Sequence, residues 1–156
     1  MRPVVYDTGV LIAADRGQRR TWAEHRVRLE AGIIPLVPAP VIAQASRSPK
    51  QAQMRRLLRG CEITPFDETT AHAAGSLLGK ARTQDVVAAS VVVLSIRRAA
   101  DIVSADVKDI SRLLSAARAK VMVLDVQPNK AHRNSSGRSA SSTECSTASA
   151  LRSGPR

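Results

Sequence analysis

Aromatic residues are nearly absent from this 156-residue chain, which has one tryptophan, one tyrosine and one phenylalanine. Its core must therefore be built from valine, leucine, isoleucine and alanine, in keeping with a hydrophobic content of 44%. Cysteine is also scarce: with one thiol at Cys61 and one far away at Cys145, we expect reduced, unpaired cysteines.

The longest apolar run, 86–96, is far shorter than the roughly 20 residues that span a bilayer. Since no signal-peptide pattern precedes the first apolar run, we expect a cytoplasmic protein that does not enter membranes.

Negative charge is the third shortage, because 13 acidic residues face 24 basic ones and leave a net charge of +11. Such an excess predicts a polyanionic partner, either nucleic acid or an acidic protein segment. An Arg- and Ala-rich composition can also reflect a GC-rich genome, so charge alone does not decide. The basic residues cluster in two stretches, which are Arg16, Arg19, Arg20, Arg26 and Arg28, then Arg47, Lys50, Arg55, Arg56 and Arg59. Each stretch is either a solvated helix face or part of a positive rim that guides a nucleic-acid backbone.

Short apolar runs alternate with longer helical patterns along most of the chain. The predicted strands are 3–6, 33–37, 62–66, 101–104 and 120–126, and the predicted helices are 8–14, 19–31, 41–47, 50–58, 68–80, 85–98 and 106–117. We expect Ser48-Pro49 and Asp67 to cap the helices that follow them. The alternation predicts a three-layer α/β domain over residues 1–128, with a mainly parallel central sheet flanked by helices. Residues 129–156 are Ser- and Arg-rich and are expected to form a disordered tail.

Three aspartates occupy the junctions between predicted strands and helices. Asp7 and Asp106 follow buried strands, and Asp85 opens a long apolar helix. Because strand ends and helix starts meet in one crevice of a parallel sheet, we expect the three carboxylates to converge. Oxygen ligands without histidine or cysteine favour a hard cation such as Mg²⁺, and hence phosphodiester chemistry. The alternative is that each aspartate simply caps a helix, while Asp109 is a solvated residue in the first helical turn.

Other motifs fail on spacing. The segment 75–81 resembles a phosphate loop, but it is one residue short and has no Ser or Thr after Lys80. His25, His72 and His132 are too far apart for a zinc site. No nucleophile elbow of the Gly-x-Ser-x-Gly type occurs, so a serine hydrolase has no support.

Six segments of the chain resemble a known family. They are VYDTGVLIA at 5–13, WAEH at 22–25, VPAPVIAQ at 37–44, LLRG at 57–60, DVVAA at 85–89 and SADVKDI at 104–110. In this order they resemble a PIN-domain ribonuclease, and more narrowly a VapC-type toxin of bacterial toxin–antitoxin pairs. The resemblance covers residues 2 to about 127 and leaves out the tail.

The resemblance implies a Mg²⁺-dependent endoribonuclease with a PIN-like fold, in which Mn²⁺ can substitute. It implies an RNA substrate, a homodimer and a small antitoxin protein that silences the toxin. By position, Asp7, Asp85 and Asp106 match catalytic acids of the family, and Asp109 matches a further metal ligand.

Two positions depart from the family pattern. Gln44 and Ala88 stand where the family carries acids, and Ala88 lies one helical turn after Asp85. A glutamine oxygen binds Mg²⁺ more weakly than a carboxylate, and alanine offers no ligand atom. We therefore expect weakened metal binding, and the alternative function is a degenerate PIN domain that binds antitoxin or RNA without catalysis. A DNA-binding domain has little support, since no helix-turn-helix or zinc pattern appears.

Overall fold

The computed structural model describes residues 2–126, in which five strands alternate with seven helices. The elements are β1 (Val4–Tyr6), α1 (Thr8–Asp15), α2 (Arg19–Glu30), β2 (Leu36–Pro38), α3 (Ala39–Ala45), α4 (Ala52–Leu58), β3 (Glu62–Thr64), α5 (Glu68–Ala81), α6 (Val86–Arg98), β4 (Asp101–Ser104), α7 (Val107–Ala117) and β5 (Val123–Asp125). The predicted tail, 129–156, and the predicted domain end at 128 lie outside the described residues. None of the helices in this part of the chain is long and apolar enough to cross a membrane.

The strands form one parallel sheet in the order β3-β2-β1-β4-β5. Parallel neighbours require crossover connections, and helices supply them on the way from each strand to the next. The mainly parallel α/β architecture expected from the sequence is confirmed. The chain first adds β2 and β3 on one side of β1 and then places β4 and β5 on the other. The β1–β4 pair is therefore the topological switch point, where open α/β sheets form their ligand crevice.

The core is aliphatic, as the shortage of aromatics requires. Every residue of β1 and β4 is buried, because helices cover both faces of the central strands. Helix α6 is buried along 88–95 and forms the centre of its layer. Tyr6 is one of the largest fully buried side chains, and its hydroxyl group forms a hydrogen bond with His25 Nδ1 at 3.1 Å.

Several local predictions were wrong. The helix predicted at 41–47 is α3 (Ala39–Ala45), and the strands predicted at 62–66 and 120–126 are the shorter β3 (Glu62–Thr64) and β5 (Val123–Asp125). Ser48-Pro49 does not cap the following helix, which begins only at Ala52, since Ser48 Oγ accepts instead from Lys50 N within a turn. The side chain of Gln51 stabilises this turn by accepting from Arg47 N and Ser48 N. The second strand begins at Leu36 rather than at 33, directly after a proline that has no backbone N–H to donate to a ladder. Asp67 does cap α5 as predicted, by accepting from Thr70 N at 2.8 Å.

Helices α2 and α4 come close together at Gly60, just after α4. A Cβ atom placed there would lie 2.8 Å from His25 Nε2 and 3.1 Å from Leu29 Cδ1. His25 is buried and held by Tyr6, so it has little freedom to move away. Burial and the nearby Arg28 guanidinium both lower the pKa of His25, which favours the neutral imidazole at this contact.

Gly60→Ala should therefore lower the free energy of unfolding by about 1–3 kcal/mol, the usual cost of overpacking. Gly75→Ala is the matched control, because a Cβ at this position in α5 would have no atom within 4 Å apart from those of its chain neighbours and of the helix's own backbone. That change should raise stability by about 0.5–1 kcal/mol, as replacing a helical glycine with alanine normally does. Urea denaturation of both variants tests the contact, and equal stability changes would contradict it.

Candidate active site

The C-terminal ends of β1 and β4 place three polar side chains side by side. Tyr6 pairs with Val103 in the ladder, so Asp7 and Ser104 follow at the same edge of the sheet. The backbone N–H of Asp7 donates to Val103 O at 3.0 Å, which fixes this residue to the neighbouring strand. Asp106 comes two residues after Ser104, in the turn that leads into α7.

Asp7 has hydrogen-bond donors on both carboxylate oxygens. Its Oδ1 accepts from Thr8 N at 2.7 Å, and its Oδ2 accepts from Ser104 Oγ at 2.6 Å. Burial raises the pKa of Asp7 above its ordinary value, and the negative charges of Asp85 and Asp106 raise it further. The two hydrogen bonds oppose this rise. Asp7 is thus a carboxylate whose negative charge is held in place by donors but disfavoured by burial and by neighbouring acids.

Ser104 connects two of the acids. It is fully buried, and its Oγ donates to Asp7 Oδ2 while accepting from Asp106 N at 2.9 Å. The sequence showed Ser104 only as part of a family motif and gave no sign of this bridge. A serine that has one donor and two acceptor positions can satisfy both contacts at once.

Asp85 and Asp106 both cap helices, as the alternative interpretation predicted. Asp85 Oδ1 accepts from Ala88 N at 2.9 Å at the start of α6, and Asp106 Oδ1 accepts from Asp109 N at 3.2 Å at the start of α7. Asp7 in turn is the N-cap of α1. Within residues 2–126, no donor bonds to the second oxygen, Oδ2, of Asp85 or Asp106. Capping therefore uses only one oxygen of each carboxylate and leaves the other available.

All four predicted site residues line one cavity of about 220 Å³. The acids in its lining are Asp7, Asp85, Asp106 and Asp109, and no lysine, arginine or histidine of the described chain joins them. The two departures from the family pattern, Gln44 and Ala88, lie in the same lining. The structure thus brings together residues that are up to 102 positions apart in sequence.

Gln44 is held at this cavity by Thr8. Thr8 Oγ1 donates to Gln44 Oε1 at 2.5 Å, which orients the amide and joins α3 to α1. Thr8 directly follows Asp7 in the sequence, but its residue type and position alone gave no sign that it belongs to the site. Because the amide is neutral, this contact places an oxygen at the cavity without adding a negative charge.

Gly9 allows the walls of the cavity to approach each other. A Cβ atom at Gly9 would lie 2.6 Å from Ala105 Cβ and 3.3 Å from Ala105 N, which belong to the turn after β4. The first turn of α1 can therefore pack against that turn only because residue 9 has no side chain. The close packing keeps Asp7 and Asp106 on adjacent segments.

The donor chemistry of the cavity fits a hard divalent cation, since its charged groups are carboxylates and its neutral groups include an amide oxygen. The arrangement of the donors fits less well. No group of three or more His, Cys, Asp or Glu side chains within residues 2–126 is positioned to hold a metal ion. The acids share a cavity but are not drawn into a tight ligand cluster, and their mutual repulsion acts against such a cluster.

Asp7→Asn should change the pH dependence of stability. A carboxyl group whose pKa is raised by folding favours the folded state below its ordinary pKa of 3.8, and this contribution is lost as pH rises through the raised pKa. The stability of the native protein relative to Asp7→Asn should therefore fall over that interval. Free energies of unfolding measured for both proteins from acid to neutral pH test this, and parallel curves would contradict it.

Comparisons with known proteins give a structural match only. No model of a protein family matches the sequence, and no curated protein matches it. The fold is similar to VapBC2 from Rickettsia felis, solved with a DNA fragment from its promoter, with a TM-score of 0.60, 14% identity, and coverage of 80% of this chain and 98% of that one. A toxin–antitoxin complex from Klebsiella pneumoniae matches with a TM-score of 0.55, 16% identity, and coverage of 69% and 90%. FitAcB from Neisseria gonorrhoeae matches with a TM-score of 0.52, 15% identity, and coverage of 78% and 96%. The chain therefore has the PIN-like α/β fold found in these toxin–antitoxin structures, which confirms the fold expected from the sequence.

Proposed function

We propose that this protein is the toxin of a toxin–antitoxin pair and a divalent-metal-dependent endoribonuclease. The observation that carries the proposal is the gathering of Asp7, Asp85, Asp106 and Asp109 around one cavity at the switch point of the sheet. The crevice at this point is where open α/β sheets bind their ligands. The PIN-like fold, shared with chains of solved toxin–antitoxin complexes, supports the assignment.

The proposed partners follow from the same comparison and from charge. The structural neighbours are complexes of toxins with antitoxins, so we propose a small cognate antitoxin protein as the partner of this chain. The net charge of +11 supports a polyanionic substrate, which in the proposed activity is RNA. We propose that the protein works as a homodimer in the cytoplasm.

The residues of the cavity would divide the work of holding a cation. Asp85 and Asp106 each offer an Oδ2 atom that has no hydrogen bond, while their Oδ1 atoms keep the starts of α6 and α7 in place. Asp7 is the anchored member, because Ser104 and Thr8 restrict the directions in which its carboxylate can point. Asp109 is exposed on the first turn of α7 and is the fourth carboxylate in the lining of the cavity.

A bound divalent cation would stabilise the charge that develops on the phosphate and lower the pKa of an attacking water molecule. The chain's own contribution is to position the acids and to keep basic side chains out of the cavity lining. Ser104 holds Asp7 and the backbone of Asp106 at a fixed separation, so substrate and water would meet the two carboxylates in a constant geometry. Gln44 would orient a polar group through an oxygen that adds no charge.

Asp106→Asn should reduce metal-dependent RNA cleavage on the order of 100-fold, the usual cost of removing a group that stabilises the transition state. Asparagine is also a good N-cap, so the start of α7 should remain folded. Asp67→Asn is the matched control, because Asp67 caps α5 with the same type of hydrogen bond but does not line the cavity. Its cleavage rate should equal that of the native protein.

The assay uses purified, antitoxin-free protein with Mg²⁺ or Mn²⁺, and with EDTA as the negative control. Circular dichroism checks that each variant is folded. Equal cleavage by the Asp106→Asn and Asp67→Asn proteins would show that the aspartates at the cavity act only as helix caps. Cleavage that persists in EDTA would contradict the metal dependence.

A second candidate function is a degenerate PIN module that binds antitoxin or RNA without cutting. Two observations favour it. First, Gln44 and Ala88 line the cavity at positions where the family that the sequence resembles carries acids. Second, the described residues contain no group of three acids positioned for a metal. The methyl group of Ala88 cannot bind a cation, and the amide of Gln44 adds no negative charge.

The double variant Gln44→Glu with Ala88→Asp separates the two candidates. Both changes place carboxylates in the cavity wall, so metal affinity should rise in either case. If the native protein is inert and the double variant cuts RNA, the degenerate module is correct. If the native protein already cuts and the double variant gains less than about tenfold, the four native aspartates are sufficient and the nuclease assignment stands.

A further inference from the structure

A large groove lies between α2 and α4, and its lining residues differ from those of the acidic cavity. Its volume is about 620 Å³, and its lining includes the indole of Trp22 and the side chain of Leu29. No residue lines both this groove and the acidic cavity around Asp7. The groove is therefore separate from the candidate active site, and the proposed chemistry does not use it.

The two basic stretches of the sequence meet at this groove. Arg19 and Arg26 reach it from α2, and Arg56 and Arg59 reach it from α4 and its C-terminal end. Arg19 and Arg26 are two helical turns apart on α2, so they lie on the same side of that helix. The result is a groove with two guanidinium groups on each side and no acidic residue among its lining residues.

None of these four arginines is neutralised within residues 2–126. Their guanidinium groups form no ion pair and donate no hydrogen bond, and all four side chains are exposed. Other arginines of the chain are paired: Arg20 lies 2.8 Å from Glu24, and Arg98 lies 3.0 Å from Glu62. Four like charges around one concavity repel each other, and a bound polyanion would relieve that repulsion.

We propose that the α2–α4 groove, rimmed by Arg19, Arg26, Arg56 and Arg59, binds the phosphate backbone of single-stranded RNA. Guanidinium groups bind phosphate through paired hydrogen bonds, and a nucleic-acid strand supplies one charge per nucleotide along both walls. The volume falls in the range of about 300–1,000 Å³ that holds a drug-sized ligand, so it suits a short single strand rather than a duplex. This inference rests on the proposed function for its choice of RNA.

Trp22 gives the groove a stacking surface. The Arg56 guanidinium carbon lies 5.4 Å from the centre of the Trp22 ring, and Trp22 Nε1 donates to Ala14 O at 3.1 Å, so the indole is fixed in place. Arginine planes and aromatic rings are the groups on which unpaired bases stack. An acidic protein segment is the competing occupant, because carboxylates also pair with guanidinium groups.

The test measures binding of a labelled oligouridylate to the full chain by fluorescence anisotropy, in EDTA so that metal-dependent cleavage does not occur. Arg56→Gln with Arg59→Gln should weaken binding at least tenfold. It should also lower the slope of log K against log salt by about 1.4, since each phosphate contact on a single strand contributes about 0.7. The matched control is Arg20→Gln with Arg98→Gln, which removes the same net charge from outside the groove. The control should stay within about twofold of the native affinity, with an unchanged slope.

Trp22 provides a local readout, because it is the only tryptophan in the chain. Oligouridylate should quench its fluorescence in the native protein and in the control double variant (Arg20→Gln with Arg98→Gln, the control pair). It should not do so in the groove double variant (Arg56→Gln with Arg59→Gln, the groove pair). Equal loss of affinity in both pairs, or binding without quenching, would overturn the proposal. Tighter binding of poly-glutamate than of oligouridylate, abolished in the groove pair, would also overturn it in favour of an acidic protein partner.

The proposed nuclease function can fail independently of this site. If the groove pair loses RNA binding while the native protein cuts nothing with Mg²⁺ or Mn²⁺, the groove assignment stands and the nuclease assignment fails. If cleavage is metal-dependent but the groove pair binds RNA normally, the nuclease assignment stands and the groove assignment fails.

Discussion

The candidate site depends on the hydrogen bonds that hold the carboxylate of Asp7 between the end of β4 and the start of α1. Donors from Ser104 and Thr8 fix both of its oxygens, and its own backbone N–H ties it to β4. Burial and the charges of Asp85 and Asp106 raise its pKa, so the protein maintains a carboxylate whose ionisation its surroundings disfavour. Groups of this kind concentrate at functional sites, because binding a cation or a proton there relieves an unfavourable arrangement.

Helix capping and the candidate site are built from the same aspartates. Asp7, Asp85 and Asp106 each cap a helix, and each also lines the acidic cavity. One carboxylate has two oxygens, so the capping hydrogen bond of Asp85 or Asp106 leaves an oxygen for a ligand. The two interpretations of the sequence, structural caps and convergent acids, therefore describe one arrangement.

The sequence predicted the elements better than the contacts between them. The strand at 101–104 matched its predicted bounds, and Asp67 capped α5, because both depend on local pattern and local hydrogen bonding. The cap predicted at Ser48-Pro49 failed, because the nearby side chain of Gln51 accepts from the backbone of the turn. The bridge from Ser104 to Asp7 and the meeting of the arginines of α2 and α4 join distant parts of the chain. Such contacts depend on tertiary packing, including the close approach of α2 that Gly60 permits. The hydrophobic periodicity of the sequence predicts helices and strands but not contacts of this kind.

The proposed role of the aspartates at the β1–β4 switch point is to act together as one cation site. Its most direct test is a ¹³C NMR titration of the Asp7 carboxyl group with pH, carried out with and without Mg²⁺. Without the ion, the pKa of Asp7 should lie above its ordinary value because of burial and the neighbouring acids. With saturating Mg²⁺ it should fall, since a bound cation favours the charged carboxylate. A titration curve of Asp7 that Mg²⁺ leaves unchanged would show that these aspartates do not form a cation site.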